Sequence, residues 1–462
     1  MKISIPEELD RIRSEIRDIT SDIIRKVQRR NELSKQIGAI KKKLKIDVKD
    51  EKVEQDIRTF ISKLSNEIGI DPDFAGRLLN ILLAESLRLQ LTEQHDSTRF
   101  ESHLAVFMKA KKLESSGKKI IHMEVGEPDY PPPESVRKAL SNVFESRQYH
   151  YSETKGITKL RTSIAQTIGN HITTDKVIVT PGGRFAVFVA IASLLTAGDE
   201  LICIEPAWPA YRECAAFVGS TTSILKTTLE EEWTPNIKKL ESMINGSTKM
   251  IALNYPNNPT GRILNKSIME KIVSLAKDHR IYVLSDEVYR DYVFTEFTSV
   301  LEYRYENSIV ISSFSKGHAM TGFRVGYAIA EENLIDKMAK VQATALTSVA
   351  EPMQYAALAA IEDSSAENAK RIKRRLEIIS DKLREMSLRF VRPDGAMYVY
   401  PELGIGKSDV EVVQKALDLG VAVAPGSGFG DCYAQFIRIS ACQPDDQLEK
   451  GLELLKAAMS SC

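Results

Sequence analysis

The sequence predicts two folds in succession, an all-helical N-terminal unit followed by a larger α/β unit. Three observations predict it. Through the first 90 residues apolar side chains recur at threes and fours, with few glycines or prolines. From about residue 101 short apolar runs alternate with helical patterns. Between the two, Leu91 to Phe100 (LTEQHDSTRF) loses all periodicity. We therefore expect a helical domain at 1–95, a linker at 96–105 and a second domain at 106–455.

The helical unit opens with Leu9, Ile12, Ile16, Ile19, Ile23, Val27, Leu33, Ile37, Ile40 and Leu44, the seam of one long amphipathic helix. Such a helix is too long for a short domain to bury unaided. The seam has a gap at position 30, which is Arg30. Lys41 follows about three turns later on nearly the same side, whereas Arg13 lies roughly a hundred degrees away. Any anion site that used Arg13 would therefore belong to a different copy of the chain. A second helix carries Val53, Ile57, Ile61, Leu64 and Ile68 on one face, with Glu54 beside them. Asp71-Pro72 caps a third, on which Ser86 and Gln90 stand one turn apart. On periodicity alone a helical dimerisation module with solvated charges is the favoured reading.

In the second unit Lys176–Thr180, Leu201–Ile204, Lys249–Leu253, Arg280–Ser285 and Ser308–Ser313 read as strands, with helices at Phe185–Leu195 and Ser267–His279. This alternation predicts a mostly parallel sheet covered on both faces. Residues 330–462 read as a smaller C-terminal lobe. Polar motifs fall at strand ends, where open α/β sheets bind ligands. Pro181-Gly182-Gly183-Arg184-Phe185 turns a strand into a helix whose free amides suit an anion. Trp208 and Asn258 follow strands, in Pro206-Ala207-Trp208-Pro209-Ala210-Tyr211 and Asn257-Asn258-Pro259-Thr260-Gly261. Taken singly, a core tryptophan and a plain turn also explain them. Asp286 ends an apolar strand, a costly place for a carboxylate without a cation. The stretch Ser312-Ser313-Phe314-Ser315-Lys316 sets hydroxyls about one lysine, and Arg324 stands eight residues on between glycines. Together these suit a phosphorylated, ring-bearing cofactor.

Composition narrows the class. Across 462 residues the formal net charge is zero, which gives no case for nucleic acid or membrane partners. Five scattered cysteines (Cys203, Cys214, Cys432, Cys442 and Cys462) form no Cys-x-x-Cys pair, suiting reduced thiols in a cytoplasm and giving no metal site. Without a signal-peptide pattern or an apolar run of membrane length, the expectation is a soluble cytoplasmic protein.

Two resemblances sharpen this reading. The order Arg13, Arg30, Lys41, Asp50, Glu54, Ser86, Gln90 resembles the small all-helical chorismate mutases across residues 8–90. The resemblance implies a three-helix fold in an intertwined homodimer. Arg30, Ser86 and the Arg13 of a second chain would clamp the substrate carboxylates. Lys41 and Gln90 would bond the breaking ether oxygen and Glu54 the ring hydroxyl, with Asp50 in the same site. Val53 departs from the family, which often has arginine before that glutamate.

Residues 101–455 resemble the fold-type I, class I aminotransferases, which implies a large domain binding pyridoxal 5'-phosphate and a small lobe. Lys316 would form the Schiff base and shuttle the proton, and Asp286 would hold the pyridine nitrogen. Tyr289 and Asn258 would bond the ring oxygen, and Trp208 would stack on the ring. The Arg184 and Phe185 amides, Ser313, Arg324 and a partner's Tyr151 would hold the phosphate. Arg438 would grip the substrate α-carboxylate, and Gly126 would let backbone approach it. His318 is read as structural. The expected protein is a bifunctional homodimer that converts chorismate to prephenate and transaminates prephenate or aromatic 2-oxo acids with glutamate or aspartate. The alternatives are an aspartate aminotransferase or a pyridoxal-phosphate lyase whose helical domain serves only dimerisation or regulation.

Overall fold

The structure is a computed structural model that describes residues 5–44, 46, 50–91, 103–169, 171–404 and 406–461. Most of the expected linker, with His95 and Cys462, lies outside them. The chain forms two compact units, one holding the N-terminal helices and one the α/β elements.

The helical unit has three helices: α1 (Ile5–Leu44), α2 (Glu51–Ile68) and α3 (Pro72–Leu91). At 40 residues α1 runs about 60 Å. Asp50 caps α2, its carboxylate accepting the Val53 amide at 3.2 Å, and Gly69 ends that helix in the left-handed conformation. Asp71 caps α3 through the Asp73 amide at 3.1 Å. On α1, Arg30, Ser34 and Gly38 meet α3, and Val27, Asn31 and Lys41 are half-buried along the same helix. A Cβ on Gly38 would meet Gln90 Cα at 2.9 Å, so only glycine permits this approach. The apolar seam faces elsewhere: Leu9, Ile12, Ile16, Ile19, Ile23, Leu33, Ile37, Ile40 and Leu44 are 43–63% exposed. Val53 and Ile68 do not extend the α2 seam as their spacing suggested. Both are more than half exposed, while Ile57, Ile61 and Leu64 are turned inward.

The second unit begins with α4 (His103–Ser115), β1 (Ile121–His122), α5 (Glu134–Glu145) and α6 (Thr158–Ile168). Alternation then sets in: β2 (Val177–Thr180), α7 (Gly183–Leu194), β3 (Glu200–Glu205), α8 (Ala210–Phe217), β4 (Thr221–Lys226), α9 (Ile237–Met243), β5 (Thr248–Asn254), α10 (Lys266–His279), β6 (Tyr282–Asp286), β7 (Ser308–Ser313) and β8 (Gly326–Ile329). The chain continues through α11 (Glu332–Ala345), α12 (Glu351–Ala360), α13 (Ala366–Glu385), β9 (Tyr398–Val399), α14 (Asp409–Leu419), β10 (Val421–Ala422), β11 (Ala424–Pro425), β12 (Ile437–Ser440) and α15 (Asp445–Ser460).

Seven strands form the main sheet in the order β2-β8-β7-β6-β5-β3-β4. Pairs β3–β5, β5–β6 and β6–β7 are parallel; β8 runs antiparallel to both β7 and β2. Neighbouring residues along a strand enter different cores. Ile202, Ile251 and Val283 pack on one face with α6, α10 and α12, whereas Leu201, Met250 and Leu284 pack on the other with α7, α8 and α11. This two-faced burial explains the near-continuous apolar strands.

The smaller lobe differs from the expected 330–462. Helices α11 and α12 cover the main sheet, and the lobe instead recruits α4 and β1 from upstream. Strand β1 pairs in parallel with β10, and Ile121 and Met123 share a core with Ile379, Val421 and Leu452. That pairing joins residues 300 apart in the chain, beyond what local periodicity encodes. Among the described residues no helix is long and apolar enough to cross a membrane.

Candidate active sites

Strands β2, β5, β6 and β7 end around one cavity of about 280 Å³. Arg184, Trp208, Asn258, Asp286, Tyr289, Ser313, Lys316, Arg324, Arg438 and Gly126 all line it. Asp286 closes β6 and is 2% exposed. Its carboxylate accepts the Tyr211 hydroxyl at 2.6 Å and the Val288 amide at 3.3 Å. Burial outweighs these bonds and raises its pKa to about 6. A carboxylate so placed favours a cationic N–H facing it across the cavity.

At the other end α7 begins at Gly183, presenting the first-turn amides of Gly183, Arg184 and Phe185. The Phe185 ring turns to Phe188, 5.9 Å away, so only its backbone serves this end. Arg324 adopts a left-handed backbone (φ 55°), and its guanidinium packs over Gly182. Ser313 closes β7 nearby, its hydroxyl accepting the Ser315 amide at 3.3 Å. Trp208 sits under the Arg184 guanidinium, 4.4 Å from the ring centroid.

Lys316 donates from Nζ to the Gly126 carbonyl. Its own carbonyl accepts the Tyr292 hydroxyl at 2.6 Å, which also meets Tyr130. A Cβ on Gly126 would fall 1.8 Å from the Tyr398 hydroxyl, so this position requires glycine. Tyr398 shares a 2.9 Å hydrogen bond with Tyr289. Arg438, on β12, is 1% exposed; it donates to Asn258 Oδ1 at 2.7 Å and to the Glu124 carbonyl, and it lies 4.2 Å from the Tyr398 ring centroid. Its Nε is buried with no partner in the protein, which leaves a donor for an incoming anion. Tyr151 is 90% exposed and does not line the cavity of its own chain. His318 packs its ring 5.5 Å from Phe314, away from the cavity lining.

Tyr211, Asn254 and Tyr398 line the same cavity and carry no marker in the sequence. Each lies inside or beside an apolar element, and its position follows only from the sheet order. Asn254 ends β5 and donates to the Asp286 carbonyl at 3.0 Å.

In the helical unit Arg30 donates to the Leu82 carbonyl at 2.5 Å and to the Ser86 hydroxyl. Ser34 donates to Ser86 at 2.9 Å, a contact the sequence reading missed. Partial burial lowers the Arg30 pKa. Gln90 stands one turn beyond Ser86, and its buried Oε1 has no partner in the protein. Glu54 and Lys41 are half-buried. The Glu54 amide donates to the Asp50 carbonyl at 3.0 Å, so Asp50 fixes the start of the helix that carries Glu54. Arg13 pairs with Asp10 at 3.5 Å and lies about 25 Å from Arg30 along α1. The two cannot touch one small substrate from the same chain.

The cavity of the α/β unit suits a flat ring with a cationic nitrogen at one end and a phosphate at the other, and the fold around it is that of the pyridoxal-phosphate enzymes. The chain belongs to the class I and II aminotransferases, whose family model matches residues 118–455. A second family model, chorismate mutase type II, matches residues 12–91. Similar proteins include the aspartate aminotransferase of Thermotoga maritima, 34% identical over 361 residues, covering 76% of this chain and 95% of that one. The aspartate/prephenate aminotransferase of Thermus thermophilus is 32% identical, covering 76% and 94%. The crystal structure of the Thermotoga maritima enzyme superposes with a TM-score of 0.74 at 33% identity, over 79% of this chain and 98% of that one. The Thermus thermophilus aspartate aminotransferase with maleate gives 0.74 at 30%, over 80% and 98%. The protein thus joins an isomerase, chorismate mutase, to a pyridoxal-phosphate-dependent transferase.

Proposed function

We propose that the helical unit converts chorismate to prephenate and that the α/β unit transaminates prephenate, with glutamate or aspartate as donor. The observation that carries the acceptor is Arg184. A dicarboxylate needs a second cation beyond Arg438, and the sequence offers Lys155, Arg184 and Arg212. Lys155 is paired with Asp336 at 2.6 Å and Arg212 with buried Glu205 at 3.0 Å. Arg184 lines the cavity, with Glu213 no nearer than 3.9 Å. The Thermus thermophilus relative, named for both aspartate and prephenate, supports this choice.

Bound pyridoxal phosphate supplies an electron sink for the substrate Cα–H bond. The residues around it divide the remaining work. Lys316 would hold the cofactor through Nζ and, once that amine is free, would move the proton at Cα. Asp286 stays ionised against the ring N–H, oriented by Tyr211. Tyr289 and Asn258 bond the ring oxygen, and Trp208 packs on the ring face. Arg324, Ser313, the Arg184 and Phe185 amides and Tyr151 of a second copy hold the phosphate. Arg438 holds the α-carboxylate of donor and acceptor in turn, and Gly126 keeps backbone close to it.

In the mutase, catalysis needs one reactive conformer of a dianion and donors where charge develops on the ether oxygen. Arg30, steadied by Ser86, and Arg13 of a second copy supply the clamp. Lys41 and Gln90 serve the oxygen, and Glu54 the ring hydroxyl. The exposed α1 seam supports a homodimer, since an apolar stripe of this length is normally covered. The test is a product assay on purified protein with chorismate, pyridoxal phosphate and aspartate. Arogenate is expected, with prephenate at least as good an acceptor as phenylpyruvate in kcat/KM. A strong preference for phenylpyruvate rejects the acceptor. Fast aspartate–2-oxoglutarate exchange with neither leaves an aspartate aminotransferase, the name several relatives carry.

A further inference from the structure

We propose that His122 is a positioning residue for Arg438, holding the backbone that anchors this arginine through an ion pair with buried Glu124. The inference rests on Arg438 being the residue that binds the substrate carboxylate.

Residues 121–126 run from β1, paired with β10, into a bend at Glu124 and Val125. The Ile121 amide donates to Gly420, the Met123 amide to Ala422, and Met123 accepts from Ser440. Two carbonyls on this segment reach the cavity residues: that of Glu124 accepts from Arg438, and that of Gly126 from Lys316. The Glu124 side chain is fully buried and its Oε2 has no partner in the protein. Its Oε1 lies 2.7 Å from His122 Nδ1, while His122 Nε2 lies 3.1 Å from Glu114 Oε1 on α4. A neutral imidazole has one N–H and can donate to one of them. Bonding both carboxylates requires the imidazolium.

The other groups about this ring do not replace it. Lys111 pairs with Glu114 at 2.9 Å, and Asp129 is held by Arg375 at 2.6 Å. Glu127 accepts the Thr321 hydroxyl at 2.5 Å. The Cys442 thiol, raised by burial to about 11, is uncharged at neutral pH. His122 is therefore the cation facing Glu124. The hydrogen bond to Glu124 raises its pKa above the usual value, with burial opposing. Below that pKa the pair is intact. As pH rises through it, one carboxylate loses its donor, and the segment that seats Arg438 loses its restraint. Substrate binding at Arg438 weakens.

The experiment measures donor KM and kcat, and the Kd of unreactive maleate, on the holoenzyme from pH 6 to 9. In His122→Leu, maleate Kd and aspartate KM should rise about tenfold at pH 7, as for loss of a charge-assisted hydrogen bond, with kcat within about twofold. The double variant His122→Leu/Glu124→Gln, which removes both charges and keeps the carbonyl, should recover affinity. It should also lack the alkaline weakening seen in the parent. If His122→Leu does not fold, the difference between the parent and double-variant pH profiles decides the matter. A parental Kd and pH profile in both variants overturns the proposal. Arg438→Lys separates the two layers: unchanged maleate affinity there removes the underlying reading, whereas weakened affinity there with none in His122→Leu removes only the role of His122.

Discussion

In the helical unit the surface α1 turns to its own neighbour is polar, and the one it turns away is apolar. In the α/β unit the order is the familiar one, with apolar strands packed on both faces and a polar cavity at their ends. The difference teaches where each fold is completed. The α/β unit encloses its cores within one chain, and Tyr151 stands exposed outside the cavity of that chain. The helical unit holds Arg30, Ser34 and Ser86 in place but leaves the Ile16, Ile19 and Ile23 stripe uncovered, with Arg13 far along the same helix. A second copy packed on that stripe, as proposed above, would cover it.

The sharpest way to divide the two units is Lys316→Ala. Transamination should fall by about 10²–10⁴-fold or more, with the mutase rate unchanged, as read by separate product assays. Loss of both activities would break the comparison. Next, Arg13→Ala and Arg30→Ala should each lower mutase kcat/KM by about ten- to a hundredfold. Mixed after subunit exchange, the two impaired variants should recover about a quarter of the parental rate, because half of the dimers carry one intact site. No recovery would mean that both arginines serve one chain.

A smaller effect concerns how each unit carries its cost. In the helical unit that cost is exposed apolar surface; in the α/β unit it is the buried charge of Asp286. Because its folded pKa is raised from 3.8 to about 6, the folded cofactor-free protein holds this proton more tightly than the unfolded chain. Its stability therefore falls as pH rises from about 4 to about 6 and stays lower above. A shift of two units corresponds to about 2.7 kcal/mol. Cofactor-free Asp286→Asn should melt above the parent at pH 8, with the gap closing below pH 4. An equal Tm at pH 8 would count against the burial. Smallest is Ser34→Ala: loss of one hydrogen bond to Ser86 should lower mutase kcat/KM by about two- to tenfold, with helicity by circular dichroism unchanged.

Legibility in the sequence followed locality. The three N-terminal helices and five strands of the main sheet announce themselves through apolar spacing. Strand β4 does not, since it is half-buried and reads Thr-Thr-Ser-Ile-Leu-Lys. Nor does β8, whose four residues follow the Arg324 loop and return antiparallel. The lobe assembled from β1 and β10 depends on a pairing that no local pattern encodes. The same holds at the cavity. Lys316 and Arg324 stand out because hydroxyls and glycines mark their loop, and Asp286 because an acid there ends an apolar strand. Tyr211 and Asn254 are not legible in the sequence, because their importance comes from Asp286, which only the fold brings beside them.

Gly182 and Arg324 behave as one composite residue split across the chain. A Cβ on Gly182 would meet the Arg324 guanidinium at 2.6 Å, on a backbone (φ 82°) that already excludes most side chains. Arg324 itself holds a left-handed backbone (φ 55°) that costs an ordinary residue about 1–2 kcal/mol. Glycine would relieve that cost at 324, yet would leave the cradle over Gly182 without its cation. Neither position can change first. In evolutionary terms the pair is an epistatic lock: a lineage that lost the need for this cavity would be expected to release Arg324 toward glycine or asparagine while the rest of the sheet stayed intact.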